Sequence, residues 1–563
     1  MILSITSCSG GSNGPKTSEL GVTRMDAEHF QVEVGGLMAT PAASFTPWYG
    51  RPASGSEAPT VLGDLRPALV CDLPGMFSYP LKEEGKGQRL TTAVRRTRPS
   101  AEGGDGAEGS IRAEIFWRVG ESLTSLAAVE WSGDENWHEL QADLPAGEGE
   151  LLFMHRFSTP GLAEQRGQPV AWSQPVLAPI TKPQQPDVIL LTIDTLRTDA
   201  LEHAPYLQSL MNSGMRWRQA YSPSNWTLPA YASLLTGLAP EQHGCGRGPF
   251  AEQATGQVEE RNFRALGTDH TITEAMRAAG YATAMYFQNP LLESWTGFDR
   301  GFDRYVRTAD RAKANHQPAL DWWQQNDHRA RFLTLHYMAP HLPYLPPTEA
   351  QAGLPANPLE ELQPELFFEK DAAPADRQAH FNLGNPEREA VRLWYYADVA
   401  AMDLELKALI EQLYASAPNC MILIHSDHGE ELWDAGAFEH GFSFDDSVIK
   451  VPLAVVYPGK IEPEIIDTPV AAHQLGTYML ELLKIPNTLP ASALGESKNA
   501  DRTIRSNFPL FRSEIGGLEL QADGSWLELP FSLEGSPGKP GVIDAETAAR
   551  MAELGYSGEL PND

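Results

Sequence analysis

Four apolar runs constrain this chain more than anything else in it. They are "DVILLTI" (187–193), "YATAMYF" (281–287), "RFLTLHY" (331–337) and "CMILIHS" (420–426), and polar residues cluster at their C-terminal ends. Helical patterns lie between them, among them "HAPYLQSLMNSGM" (203–215) and "EAVRLWYYADVAAMDLELKALIEQLYA" (389–415). Strands alternating with helices predict an α/β fold with a doubly wound, mostly parallel sheet. This unit spans 186–563, with a C-terminal subdomain from about 462 that closes in a short helix, "AETAARMAELGY". Residues 346–385, rich in Pro, Ala and Glu and without clear periodicity, read as an insertion near the site.

The first third of the chain has a different character. A length of 563 residues implies two or three domains. Residues 24–178 hold short, partly alternating apolar runs, such as "AEIFWRVG", "SLTSLAAVEW", "HELQADLP" and "GELLFMHRF", parted by Gly, Asp and Pro. They predict an all-β sandwich, followed by a Pro-rich linker at 179–186. The segment resembles the jelly-roll modules attached to some bacterial polysaccharide enzymes. Trp117, Trp131, Trp137 and Trp172 are expected to fill its core rather than to bind sugar. Residues 1–20 form a leader. "MILSITSCSGG" resembles the end of a bacterial lipoprotein signal with Cys8 as the lipid-bearing residue, although a basic n-region and a long apolar core are missing. A lipid anchor at Cys8 and an extracytoplasmic location (periplasmic, lipid-anchored or secreted) follow as expectations.

Charge and cysteine content narrow the function. The formal net charge of -31 argues against non-specific nucleic-acid binding. An anionic substrate would need a local positive site inside this acidic shell. Four cysteines in such a length make no disulfide framework, and Cys420 in "NCMILIH" reads as a buried thiol. No run reaches the roughly 18 consecutive apolar residues of a membrane helix.

In open α/β sheets ligands bind beyond the carboxyl ends of the strands. "VILLTID" delivers Asp194 there, "FLTLHYMAPH" delivers His336 and His341, and "MILIHSDHGEE" delivers Asp427 and His428. Aspartate with neutral imidazole suits a borderline divalent ion such as Zn or Mn, or Mg where carboxylates and waters dominate. Because the set is oxygen-rich rather than Cys-rich and lies beside a candidate nucleophile, it reads as catalytic rather than structural.

That nucleophile comes from "SNWTLPAYASLLTG" (224–237). Pro229 is tolerated in a first helical turn, and Gly237 ends the helix. Thr227 therefore sits at a helix N-terminus, where free N–H groups and the dipole favour an anion. A metal ligated by Thr227 would lower its hydroxyl pKa and orient it. The alternative is that Thr227 or Ser224 merely caps the helix.

"DVILLTIDTLRTD", "TLPAYASLLTGLAPEQHG", "GFDRGFDRY", "LHYMAPHLPYLPP" and "SDHGEELWDAGAFEHGFSFDDSVIKVPLAVVYPG" occur in this order. Together they resemble the sulfatase family of the alkaline phosphatase superfamily over about 186–560, and "MAELGY" is similar to the family's C-terminus. The resemblance implies one divalent ion (Mn, Zn, Mg or Ca) on Asp194, Thr227, Asp427 and His428. It also implies a contact from His341 to the ester oxygens and a basic position near the leaving group at His440. Lys450 falls near another position that is often basic in the family. His243 and His336 are expected to be structural.

Three departures qualify the resemblance. Sulfatases of the common type carry Cys or Ser followed by x-Pro-Ser-Arg and convert the first residue to formylglycine. Here, counting back ten from Gly237 lands on Thr227, with Pro229 in place, Ala230 for the Ser and Tyr231 for the Arg. Ser224 is three residues out of register. Thr195 stands where many sulfatases have a second metal-binding Asp, and "YFQNP" (286–290) lacks the basic residues found there in arylsulfatases. No formylglycine is expected. The pattern resembles the single-metal, Thr-nucleophile branch typified by lipoteichoic acid synthases and phosphoethanolamine transferases; phosphonate monoester hydrolases share its metal ligands. The expectation is a metal-dependent hydrolase of phosphate or phosphonate mono- and diesters. The alternatives are a sulfatase acting on sulfated glycans and a catalytically inactive glycan-binding protein.

Overall fold

The structure is a computed structural model. It describes 61–96 apart from 73–74 and 82–86, 110–158 apart from 133–135, and 169–247. It also describes 263–360 apart from 268–269 and 310–311, and 382–494 apart from 442 and 493. Residues 18 and 20–25 and short strands at 31–34, 46–50, 503–505, 517–520 and 526–529 complete it. Cys8, residues 361–381 of the insertion and the closing stretch 545–556 lie outside the described residues.

The four apolar runs all form strands. In chain order the catalytic layer holds β1 (Val188–Ile193), β2 (Met215–Tyr221), β3 (Ala282–Phe287), β4 (Arg304–Thr308), β5 (Arg331–Tyr337), β6 (Met421–Ser426) and β7 (Lys450–Val456). Their spatial order is β4-β3-β5-β1-β6-β7-β2. The first five are parallel, and β7 runs antiparallel to both β6 and β2.

The period-2 geometry of β1 explains its unbroken apolar sequence. Val188 and Leu190 enter one core with α2 (Thr227–Thr236), α3 (Ile272–Ala279) and α6 (Leu475–Leu483). Ile189, Leu191 and Ile193 enter another with α1 (Pro205–Asn212), α4 (His316–Gln325) and α5 (Asn385–Ser416). A strand covered on both faces has no solvent side to keep polar. Each such aliphatic side chain contributes about 1.5–3 kcal/mol through burial. Below the sheet, Asp187 accepts from the Arg331 backbone N–H and Nε, both at 3.0 Å, and from Lys182 Nζ at 2.6 Å. The Arg331 guanidinium lies 3.8 Å from the Trp323 ring centroid. Together these contacts pin the start of β1 beside β5.

The N-terminal region is a two-layer β structure, as expected. One layer is a separate five-stranded antiparallel sheet ordered Gln31–Val34, Gly75–Leu81, Gly149–Phe157, Ile111–Val119, Ser122–Trp131. Between the layers Phe77 and Phe153 stack at 4.9 Å, with Trp172 edge-on to both. Trp117, Trp131 and Trp172 are buried in this core, whereas Trp137 is half-buried beneath Arg66 and Arg95.

The second layer is not a free sheet. Its strand Val61–Asp72 pairs antiparallel with β4, Tyr305 opposite Leu65 and Val306 opposite Asp64. The sandwich layer and the catalytic sheet thus form one continuous 16-stranded sheet, a connection that the linker at 179–186 does not announce. No helix among the described residues is long and apolar enough to cross a membrane.

Candidate active site

Strand ends deliver the site, as the sheet rule requires. Asp194 follows β1, and its N–H donates to the Tyr337 carbonyl of β5 at 2.9 Å. Asp427 and His428 follow β6, and Asn289 lies just past β3. The next residue after Asp194, Thr195, holds φ at +53°. This left-handed conformation is costly for a β-branched side chain and tends to persist only at functional turns. The Tyr395 hydroxyl locks it by donating to the Thr195 carbonyl at 2.9 Å, and the Thr195 backbone faces Asp427.

Thr227 is the first residue of α2. The N-cap is Trp226, with extended backbone and no capping side chain. Gly237 ends the helix in the left-handed conformation at φ +69°. The Thr227 hydroxyl is therefore not spent on capping. It lies 3.2 Å from His428 Nε2, beside Asp427, and accepts from Asn289 Nδ2 at 3.4 Å. The same Asn289 amide donates to Asp194 Oδ2 at 2.7 Å. Ser224 Oγ is buried without a hydrogen-bond partner and touches none of these groups through a described hydrogen bond.

His428 Nε2 lies 3.6 Å from Asp194 Oδ1 and 3.5 Å from Asp427 Oδ2. Both carboxylate oxygens are buried and have no hydrogen-bond partner. Ligand atoms at these separations are spaced as neighbours around one ion with bonds of about 2.1 Å. Asp194, His336 and Asp427 also offer one atom each, all within 4.8 Å of one another. His336 Nε2 sits 3.5 Å from Asp194 Oδ2, and neither ring nitrogen has a hydrogen-bond partner. The expected quartet is therefore brought together, and His336, expected to be structural, stands among the candidate donors.

Electrostatics agree with a cation site. Burial and the neighbouring Asp194 charge push Asp427 well above the usual carboxylate range. Burial works on Asp194 as well, but the His336, His341 and His428 imidazoles around it outweigh it and hold Asp194 low. Two carboxylates so placed cannot both stay ionised unless a cation joins them. Burial and His440 push His428 down to about 3, so its imidazole is neutral and fit to ligate.

Three imidazoles continue outward from this centre. The His428 and His440 rings lie 4.4 Å apart, and those of His440 and His341 lie 5.0 Å apart. Burial pushes His440 down to about 4. Its Nδ1 is 3.0 Å from Glu430 Oε1, a fully buried carboxyl whose pKa burial raises to about 7. The His440 loop docks on the nucleophile loop through the Gly441 N–H, which donates to the Asn225 carbonyl at 2.9 Å. Gly429 is required by close approach, since a Cβ there would lie 2.0 Å from the Ser447 carbonyl oxygen.

Two other sequence candidates lie elsewhere. Lys450 places Nζ 3.7 Å from Asp446 at a partly exposed position. His243 is structural: its Nε2 is 2.9 Å from Ser233 Oγ and its Nδ1 accepts from the Cys245 N–H.

A family model described as "Sulfatase" matches residues 186–485, more than half of the chain. The chain belongs to the sulfatase family. Within the alkaline phosphatase superfamily this makes it a sulfatase-like ester hydrolase, and members of the family bind a divalent metal. A "Sulfatase" from Formosa agariphila is 24% identical over 57% of this chain and 73% of its own length. A "Choline-sulfatase" from Rhizobium meliloti is 22% identical over 54% of this chain and 68% of its own. Among solved structures, a phosphonate monoester hydrolase from Silicibacter pomeroyi aligns with a TM-score of 0.46. It is 19% identical and covers 66% of this chain and 94% of that one.

Asn289 and Glu430 are site residues that the sequence reading missed in this sulfatase-family chain. Asn289 falls within the very "YFQNP" stretch noted for its lack of basic residues, two positions past β3. The strand-end rule that found Asp194 would have found it too. Glu430 lies within the "SDHGEE" run and gave no signal of its own, because its partner His440 is ten residues away around a loop.

Proposed function

We propose that the chain is a metal-dependent hydrolase of phosphate or phosphonate mono- and diesters, with Thr227 as nucleophile. One observation carries this reading. The Thr227 hydroxyl opens α2 without capping it and faces His428 and Asp427. An unmodified alcohol also suits a phosphoryl centre better than a sulfuryl one, because a sulfated threonine lacks the breakdown route of an aldehyde hydrate.

Asp194, Thr227, Asp427 and His428 would hold the ion, with His336 as a further donor. A divalent ion bound there supplies positive charge that acidifies the Thr227 hydroxyl and balances the two carboxylates. Thr227 Oγ1 attacks phosphorus in line, and its new bond forms as the bond to the leaving alkoxide breaks. The free N–H groups of the first turn of α2 and His341 stabilise the equatorial oxygens. His440, held by Glu430, delivers a proton to the leaving oxygen. Water then cleaves the phosphothreonine and restores the hydroxyl. The anionic substrate is met by these local groups inside a strongly acidic chain. We further propose an extracytoplasmic location with lipid on Cys8, tested by mass analysis of the N-terminal peptide from membrane fractions.

A second reading, hydrolysis of sulfate esters, is favoured by the names of the relatives, and sulfated glycans are the substrates it would take. The test is an assay of aryl phosphate, bis-aryl phosphate and aryl sulfate with Mn, Mg, Zn and Ca, with intact-mass trapping of the covalent adduct. Phosphate turnover with a +80 Da-class adduct on Thr227 is expected. Faster aryl sulfate turnover selects the second reading. Bound metal without turnover of any ester selects a glycan-binding protein instead.

A further inference from the structure

Glu430 and His440 meet because the chain between them folds back on itself. Glu431–Leu432 and Phe438–Glu439 form a two-stranded antiparallel hairpin, with Glu431 opposite Glu439 and Leu432 opposite Phe438. The next pair outward is Glu430 and His440, so the base of the hairpin sets the 3.0 Å contact between them. Strands of two residues are too short to hold together alone. Side chains make up the difference. Trp433 stacks on Phe438 at 4.5 Å, and the Glu431 carboxylate accepts from the N–H groups of Ala435 at 3.0 Å and Ala437 at 2.7 Å. Even so, Trp433 and Glu439 hold left-handed backbone, at φ +63° and +74°. Such conformations in bulky residues persist only where their surroundings over-determine them. Glu439 directly precedes His440, so relaxation there would turn the imidazole away from Glu430.

Arg197, a buried residue shortly after Asp194, supplies that constraint. Its Nη1 donates to the Glu430 carbonyl at 2.9 Å and to Asp434 Oδ2 at 2.6 Å, and its Nη2 donates to Asp434 Oδ1 at 3.1 Å. Asp434 in turn accepts from the Leu432 N–H at 3.0 Å. One guanidinium thus grips the hairpin at its base and at its turn. Asp199 holds the other edge of that guanidinium, accepting from Nε at 2.9 Å and from Nη2 at 2.6 Å. The backbone of Arg197 has a separate task. Its N–H donates to the Tyr395 hydroxyl at 3.0 Å, the same hydroxyl that locks the Thr195 carbonyl. The side chain serves the hairpin, and the backbone serves the turn that carries Asp194.

We infer that Arg197 is a positioning residue for the reaction: its planar fork fixes Glu430 and His440 at the separation that proton delivery to the leaving oxygen requires. It acts through the hairpin. In the described hydrogen bonds its side chain meets none of the candidate metal ligands. Lysine, a point charge on a flexible stem, cannot fill both forks at once. The inference rests on the reading of His440 as the acid given above.

The test uses the full-length holoprotein and aryl esters with leaving groups of rising pKa, phosphates or sulfates according to which are turned over. Arg197→Lys keeps the charge and the backbone N–H, so its metal content should not change. Its kcat/KM should fall by up to about tenfold for the poorest leaving groups and hardly at all for the best. Arg197→Lys combined with Glu430→Gln should lose no more than Glu430→Gln alone, because both act on the same proton. Asp434→Asn, at the exposed turn of the hairpin, should give the same slope in smaller measure and serves if Arg197→Lys folds poorly. A deficit that is uniform across the series in both variants and adds to that of Glu430→Gln marks a merely structural ion pair and overturns the inference. So does undiminished activity in both. A slope in Glu430→Gln alone removes Arg197 and leaves His440 as the acid. No slope even in Glu430→Gln overturns the acid assignment and this inference together.

Discussion

Replacing Glu430 by Gln tests how the leaving group is served. The Glu430 carboxyl is fully buried, and its Oε1 lies 3.0 Å from His440 Nδ1. Burial disfavours the imidazolium that His440 needs as an acid, and an ionised Glu430 offsets that cost through a charge-assisted hydrogen bond, worth about 1.5–3 kcal/mol against about 0.5–1.5 for a neutral one. Glu430→Gln keeps the shape and an acceptor but removes the charge, for a loss of about 1.5 kcal/mol. That loss corresponds to about tenfold in rate where protonation of the leaving oxygen limits turnover. The assay is kcat/KM across a series of aryl esters, phosphate or sulfate according to which is turned over, with leaving groups of rising pKa. The deficit should be about tenfold for the poorest leaving groups and shrink towards none for the best, which depart without a proton. Metal content should be unchanged. A uniform deficit across the series, or none anywhere, would refute the assignment of His440 as acid and Glu430 as the residue that positions it.

Further outcomes follow from the same geometry. Thr227→Ala should lose at least about 10⁴-fold in turnover and all covalent adduct while retaining metal on the remaining donors, measured by elemental analysis. Ser224→Ala should keep its turnover, and a dead Ser224→Ala would move the nucleophile three residues upstream. Chelation should lower the melting temperature, and added divalent ion should restore it, because Asp194 Oδ1 and Asp427 Oδ2 are buried without hydrogen-bond partners. The pH dependence of stability should show His243, whose pKa is pushed down to about 3 by burial and by His473. The unfolded chain takes up this proton below about 6.5 and the folded one does not. The contribution of His243 is thus full above pH 6.5 and falls by about 1.4 kcal/mol per pH unit between about 6 and 4. His243→Gln should flatten that slope by one proton in denaturation midpoints measured across this range.

What the sequence made legible follows from how each feature is encoded. β1 and its parallel neighbours were readable because burial on both faces leaves an uninterrupted apolar run. Asp194, Asp427 and His428 were readable because they end such runs, and Thr227 because Pro229 and Gly237 bracket its helix. His336 read as structural because a histidine inside a strand looks like a core residue; only the fold shows that its ring lies against Asp194. Lys450 was suggested by family resemblance alone, and the structure adds an ion pair with Asp446, four residues before it. The fusion of the two sheets was invisible for another reason. The strand Val61–Asp72 meets β4 some 240 residues later, and nothing in either sequence names its partner.

That fusion also bears on how the protein can be divided. The match to the family model begins at residue 186, which invites expression of the C-terminal part alone. Such a fragment would leave β4 as a bare sheet margin. The β4 backbone groups that now bond to strand Val61–Asp72, where Tyr305, Val306 and Arg307 lie opposite Leu65, Asp64 and Gly63, would have no partner. Raw strand margins of this kind recruit other chains. The N-terminal layer therefore does for its neighbour what a folding partner does: it keeps a sticky flank from finding a copy of itself.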